Sequence, residues 1–141
     1  MNAQIDRPLP KPTPAELVIL GVLWDHGPAT VRAVHEAMPG GNVSGYTTIL
    51  KLLQIMHRKG LVMRDDSRRA HVYRPVSSRV SVQTQLTSDL VQRAFDGSPS
   101  KLVVQALGAA QTASREDLDK IRALLDQLEA QQNEPKRESD F

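Results

Sequence analysis

"GYTTILKLLQIMHRKGLVMRDDSRRAHVYRP", residues 45–75, holds the two elements whose order decides the fold. At about 100° per residue, Ile49, Leu52, Leu53 and Met56 gather on one side of a helix. Thr47, Lys51, Gln54 and Arg58 fall on the opposite side, with Ser44 beside them and Thr48 at the margin. The spacing predicts a helix over 44–59 with an apolar inner face, a polar outer face and a stop at Gly60. Two short runs follow, Leu61–Arg64 and Ala70–Pro75, around the polar turn Asp65-Asp66-Ser67-Arg68-Arg69. That arrangement reads as a β-hairpin with two arginines at its tip.

Upstream, Thr13-Pro14-Ala15-Glu16 is a capping box with proline at the first helical position. Leu17, Leu20 and Trp24 then recur at helical spacing until Gly27-Pro28. "PAT" is a short extended link, and Thr30 is placed to cap a second helix lined by Val31, Val34 and Met38. Helix, link, helix, helix and hairpin in that order make a winged helix-turn-helix with a two-stranded wing. The fold class expected is mainly α with a small β-hairpin wing, followed by a C-terminal helical dimerisation region.

The helical region shows three apolar patterns. Val82, Leu86 and Leu90 are spaced by four, Ser98-Pro99 leads into Leu102, Val103 and Leu107, and Ser114 opens a run containing Leu118, Ile121, Leu125 and Leu128. The last seam is narrow, as in a helix packed on another helix. It could fold back within the chain, but three short helices bury little by themselves, and a subunit interface is favoured. The expected organisation is a disordered arm at 1–12, the winged helix at 13–76, the dimerisation helices at 77–132 and a disordered tail at 133–141. No internal repeat is present.

Composition narrows the function. The chain of 141 residues has no cysteine, which excludes disulfides, thiolate metal sites and cysteine nucleophiles and fits a reducing cytoplasm. No apolar run approaches the ~20 residues of a membrane helix, and the start "MNAQIDRPLPKPTP" lacks the apolar segment of a signal peptide. His26, His35, His57 and His71 have no zinc-ligand spacing, Gly40-Gly41 lacks a phosphate-loop pattern, and no nucleophile–base set stands out. Neither a cofactor nor an enzymatic activity is expected. The net charge of +2 hides an asymmetry: residues 1–80 hold 11 Lys/Arg against 6 Asp/Glu, residues 81–141 hold 7 against 10. A basic excess concentrated at 51–74 suggests a polyanion, although a solvated surface would look the same from charge alone.

The major groove of B-DNA admits one helix, anchored by an apolar face and offering short hydrogen-bonding side chains near its N-terminus. Ser44, Thr47, Thr48 and Lys51 meet that requirement, with Gln54 and Arg58 further along the same face. Arg68 and Arg69 are placed to enter the minor groove or grip phosphates. Tyr46 could touch sugar-phosphate, but packing at the helix start is the first reading. The DNA reading competes with a winged-helix module that binds protein instead. The basic hairpin tip and the threonine-rich exposed face argue against that alternative.

"PTPAELVILGVLWDHGPATVRAVHEAM", "GYTTILKLLQIMHRKGLV" and "RRAHVYRPV" together resemble the penicillinase-repressor (BlaI/MecI/CopY-like) family of bacterial repressors over roughly residues 12–128. The resemblance implies a homodimer that binds a palindromic operator and represses β-lactamase or related resistance genes. It puts recognition-helix contacts at Tyr46, Thr47, Thr48 and Lys51 and wing contacts at Arg68-Arg69. The dimer interface is expected at Val82, Leu86, Leu90, Leu118, Ile121, Leu125 and Leu128. Copper-responsive relatives use C-terminal cysteines, which this chain lacks. In β-lactam-responsive relatives a membrane sensor-protease pathway cleaves an Asn-Phe bond, and Gln105-Ala106 stand in place of that pair here.

Overall fold

In the computed structural model, Thr13 opens α1 (Pro14–His26). Its hydroxyl accepts from the Glu16 N–H at 3.2 Å, and Glu16 Oε1 accepts from the Thr13 N–H at 2.9 Å. Two amides that a helix start leaves without partners are thereby satisfied. The structure describes residues 10–40, 44–109 and 113–133. The arm expected at 1–12 lies outside these residues up to position 9, and the tail expected at 133–141 lies outside them from position 134.

Strand β1 (Ala29–Thr30) runs directly into α2 (Val31–Ala37), where the Thr30 hydroxyl accepts from the Ala33 N–H at 3.1 Å. Helix α3 (Tyr46–Lys59) follows and ends on Gly60 in the left-handed conformation, φ 86°, which a residue without Cβ adopts freely. The hairpin comprises β2 (Val62–Asp65) and β3 (Val72–Pro75), with Arg64 opposite Tyr73 and Val62 opposite Pro75. The wing differs from the two-stranded hairpin expected. Ala29 and Thr30 pair antiparallel with Tyr73 and Val72, giving a three-stranded sheet of order β1-β3-β2. The link between the first two helices thus covers the free edge of β3, whose amides and carbonyls would otherwise face water.

The core lies where α1, α2 and α3 meet this sheet. Ile19, Leu20 and Leu23 of α1 pack with Val34, with Ile49, Leu53 and Met56 of α3, and with Val62 and Tyr73 of the wing. The inner face expected for α3 is therefore buried, with Leu52 only partly so. One charged side chain joins this core. Glu16 is buried, and its Oε1 accepts from Lys59 Nζ at 2.6 Å, tying the start of α1 to the end of α3. Burial pushes the Glu16 carboxyl up, but the Lys59 and Thr13 hydrogen bonds outweigh it and hold the group below its usual value.

Helix α4 (Arg79–Ala94) is fastened to α1 at its start. Trp24 Nε1 donates to the Ser77 carbonyl at 3.0 Å, and Arg79 lies 5.5 Å from the Trp24 ring while pairing with Asp25 at 2.6 Å. The chain divides into two compact units between Leu90 and Val91, inside α4. In the second unit, α5 (Pro99–Ala109) and α6 (Arg115–Asn133) begin at the expected serines: Ser98 Oγ accepts from the Lys101 N–H at 3.3 Å and Ser114 Oγ from the Asp117 N–H at 3.0 Å. Neither helix has a buried residue. The class is that expected, mainly helical with a small antiparallel sheet. Among the described residues no helix is long and apolar enough to cross a membrane.

Candidate nucleic-acid interface

The buried row Ile49, Leu53 and Met56 fixes the rotation of α3, so its opposite side must face outward. Thr47, Thr48, Lys51, Gln54 and Arg58 are all exposed there. Tyr46 is half-exposed and stands edge-on to His35, with ring centroids 6.1 Å apart. Ser44 is placed differently from the sequence expectation. The helix starts at Tyr46 with Gly45 as its N-cap, and Ser44 sits half-buried in front of it. Its carbonyl oxygen accepts from His35 Nε2 at 3.1 Å.

The wing tip spans the residues between β2 and β3. Asp65 Oδ1 accepts from the Ser67 N–H at 2.9 Å, which turns the chain after β2. Hydrogen bonds from the hydroxyl and amide of Ser67 hold the Asp65 carboxyl below its usual range. Arg64 Nε lies 2.7 Å from Asp66 Oδ1, and that carboxylate together with the Tyr73 hydroxyl raises the guanidinium further above its ordinary value. Arg68 and Arg69 project beyond these braces and are exposed.

An open groove of about 480 Å³ runs between α3 and the wing. It gathers Tyr46 and Gln54 from α3 with Arg69 from the wing, and it adds Thr30, Arg32, Arg64 and His71, which sequence reasoning did not assign to the interface. Thr47, Thr48, Lys51, Arg58 and Arg68 are exposed but do not line this groove.

The charges on this surface are distributed unevenly. Among the described residues of the first unit, Lys11 pairs with Asp89, Arg32 with Glu36, Lys59 with Glu16, Arg64 with Asp66 and Arg79 with Asp25. Lys51, Arg58, Arg68, Arg69 and Arg74 form no ion pair. All five belong to α3 or the wing. Arg74 was missed from sequence, although strand alternation puts it, like its partner Met63, on the outer side of the hairpin.

The residues expected at a dimer interface differ in what their own chain leaves open. Val82 is buried and lines a small cavity with Pro10, Leu20, Gly60, Leu61 and Ser77, so its surface is already covered. Leu86, Leu118 and Ile121 are half-buried, whereas Leu90, Leu125 and Leu128 are exposed. Val103, Val104 and Leu107 of α5 and Leu124 of α6 are further exposed apolar residues. Gln105 and Ala106 lie exposed within α5.

Three helices packed on a three-stranded antiparallel wing define a winged-helix protein. A family model described as "Penicillinase repressor" matches residues 12–127. The chain belongs to the penicillinase repressor family. Transcriptional regulator BlaI of Mycobacterium tuberculosis (strain CDC 1551 / Oshkosh) is 33% identical over 117 residues, covering 82% of this chain and 83% of the relative. The protein of the same description from strain ATCC 25618 / H37Rv matches to the same extent. Among solved structures, a MarR family protein from Bacillus stearothermophilus overlaps with a TM-score of 0.48 at 18% identity, covering 87% of this chain and 76% of that one. Transcriptional regulator Tm0710 from Thermotoga maritima overlaps at 0.44 and 19%, covering 88% and 80%. The chain is a transcriptional regulator of the winged-helix type, and its family is one of regulators rather than enzymes.

Proposed function

We propose that the chain is a homodimeric repressor that inserts α3 into the major groove of a palindromic operator and braces the duplex with its wing. Thr47, Thr48 and Lys51 reach base edges. Arg58, Arg68, Arg69 and Arg74 neutralise phosphates or line the minor groove, and Gln54 and Tyr46 touch the backbone from the groove beside the wing. One observation carries the reading: among the described residues of the first unit, the cations without an ion pair are those of the outer face of α3 and the wing, and the other Lys and Arg side chains each lie against a carboxylate. An isolated positive surface around an exposed helix suits a polyanion.

Dimerisation follows from the second unit. Helices α5 and α6 have no fully buried residue, and Leu125 and Leu128 are exposed, as is Leu90 at the end of the first unit. Helices that bury so little within their own chain gain most of their stability from packing an apolar face, and a second copy is the partner that supplies it. Two recognition helices then address successive turns of one duplex face, ~34 Å apart. Resistance genes of the kind regulated by penicillinase repressors are the targets this reading expects.

The test is selection of bound sequences from a random duplex pool by the full-length protein. Enrichment of a two-fold symmetric site supports the reading. Recovery of no preferred sequence, with binding insensitive to salt, refutes it.

A further inference from the structure

The start of α3 lacks the support that the other helices have. Thr13, Thr30, Ser98 and Ser114 cap their helices through a side-chain oxygen, whereas Gly45 has no side chain to do so. The support comes from α2. A carbonyl oxygen only accepts, so the 3.1 Å contact between His35 Nε2 and the Ser44 carbonyl places the ring proton on Nε2. The same ring meets Tyr46, the first residue of α3, at an interplanar angle of 77°. One side chain thus grips the residue before the N-cap and touches the residue after it.

The geometry points to His35 as a positioning residue that sets the approach angle of α3 and thereby the discrimination among base sequences. The inference rests on the proposed DNA-binding role. The inner face of α3 is anchored at Ile49, Leu53 and Met56. Thr47 lies about 3 Å along the axis beyond Ile49, in the turn whose position depends on how the helix start is held, and a tilt of about 20° there moves it by about 1 Å. Threonine is too short to follow such a shift, and a hydrogen bond to a base edge does not survive it. Stability is affected much less, because Ser44 is only half-buried and water can replace the lost donor.

The experiment compares His35→Ala, His35→Gln and His35→Phe in the full-length protein. Each is titrated with the duplex that wild type selects and with a random-sequence duplex of equal length, and thermal unfolding is followed in parallel. Glutamine keeps a donor without the ring, and phenylalanine keeps the ring without a donor. The expected result is a loss of selected-over-random preference of about tenfold for alanine and phenylalanine, roughly the worth of one base contact. Binding to random duplex should be unchanged, and glutamine should restore most of the preference. Should alanine unfold early, the glutamine–phenylalanine comparison decides alone. Equal preference in phenylalanine and glutamine variants overturns the positioning role while leaving DNA binding intact. A wild type without any sequence preference overturns both.

Discussion

Neutralising Arg69 tests the charge argument most directly. Each phosphate neutralised on B-DNA contributes about 0.9 to the slope of log K against log salt. The five cations without ion pairs, doubled by a dimer, set a ceiling of about −9 if all of them reach phosphates. Arg69→Ala removes one contact per protomer and should make the slope shallower by about 1.8. Between 50 and 200 mM salt, the loss of affinity would then shrink by about a factor of ten. Arg32→Ala is the internal control. Arg32 lines the same groove, but Glu36 lies 3.3 Å from its guanidinium four residues along α2. Removing a cation whose charge is already locally balanced should leave the slope nearly unchanged. Fluorescence anisotropy of a labelled duplex at several salt concentrations reads both variants. If Arg32→Ala flattens the slope as much as Arg69→Ala, the distinction between paired and unpaired cations has no bearing on binding.

Lys51→Ala should weaken discrimination at one base pair of each half-site by about 1–3 kcal/mol, measured by competition with singly substituted operators, and should leave preferences at distant positions alone. Glu16→Gln should destabilise the winged helix by about 1–2 kcal/mol in urea titrations. That is less than a fully buried pair would lose, because Lys59 is 33% exposed and can turn to water. The folded state holds the Glu16 carboxyl below the unfolded value of 4.5, so its stabilisation is complete above that pH and fades as the pH falls through the folded value. The gap between wild type and Glu16→Gln should therefore close in acid, and a gap constant down to pH 3 would remove the ion pair as its cause. Leu125→Asp should sediment as a monomer with an unchanged winged helix, since Leu125 is 50% exposed in the single chain. A persistent dimer would put the interface elsewhere.

Local rules carried the sequence reading far. The capping box at Thr13–Glu16 and the inner face of α3 need only near neighbours and a period, and both are found in place. Three features needed information that no window contains. Ala29-Thr30 is too short to show strand alternation, and it becomes a strand because β3 offers an open edge. Glu16 reads as a capping residue, yet it also meets Lys59, 43 positions away, once α1 and α3 pack. Val82 belongs to an apolar series spaced by four, which reveals a face but not what covers it, and here the cover comes from the same chain. Ser44 shows the limit at a boundary: the spacing begins the helix there, but His35 holds its carbonyl, and the helix begins after Gly45. Arg74 was within reach, since strand alternation puts it on the face opposite its neighbour Tyr73, which is buried.

The small net charge of the chain says little about its partner, because the carboxylates are not spread at random. In the first unit Glu16, Asp25, Glu36, Asp66 and Asp89 each lie against a cation. Asp65 instead accepts from Ser67 and shapes the turn that carries Arg68 and Arg69. Among the described residues of the first unit no carboxylate remains to pair with the outer face of α3. The field of that face is therefore positive even though the sum over the chain is near neutral, and it is the local field that a polyanion meets within a Debye length of ~8 Å. An acidic residue introduced at Gln54 would supply the missing counter-charge beside Lys51 and Arg58 without touching the core. By this reasoning Gln54→Glu should weaken binding to selected and random duplex alike, leave unfolding in urea unchanged, and lose most of its effect at high salt. A substitution that weakens only the selected duplex would mean that Gln54 reads a base, and that the charge partition is not what governs affinity there.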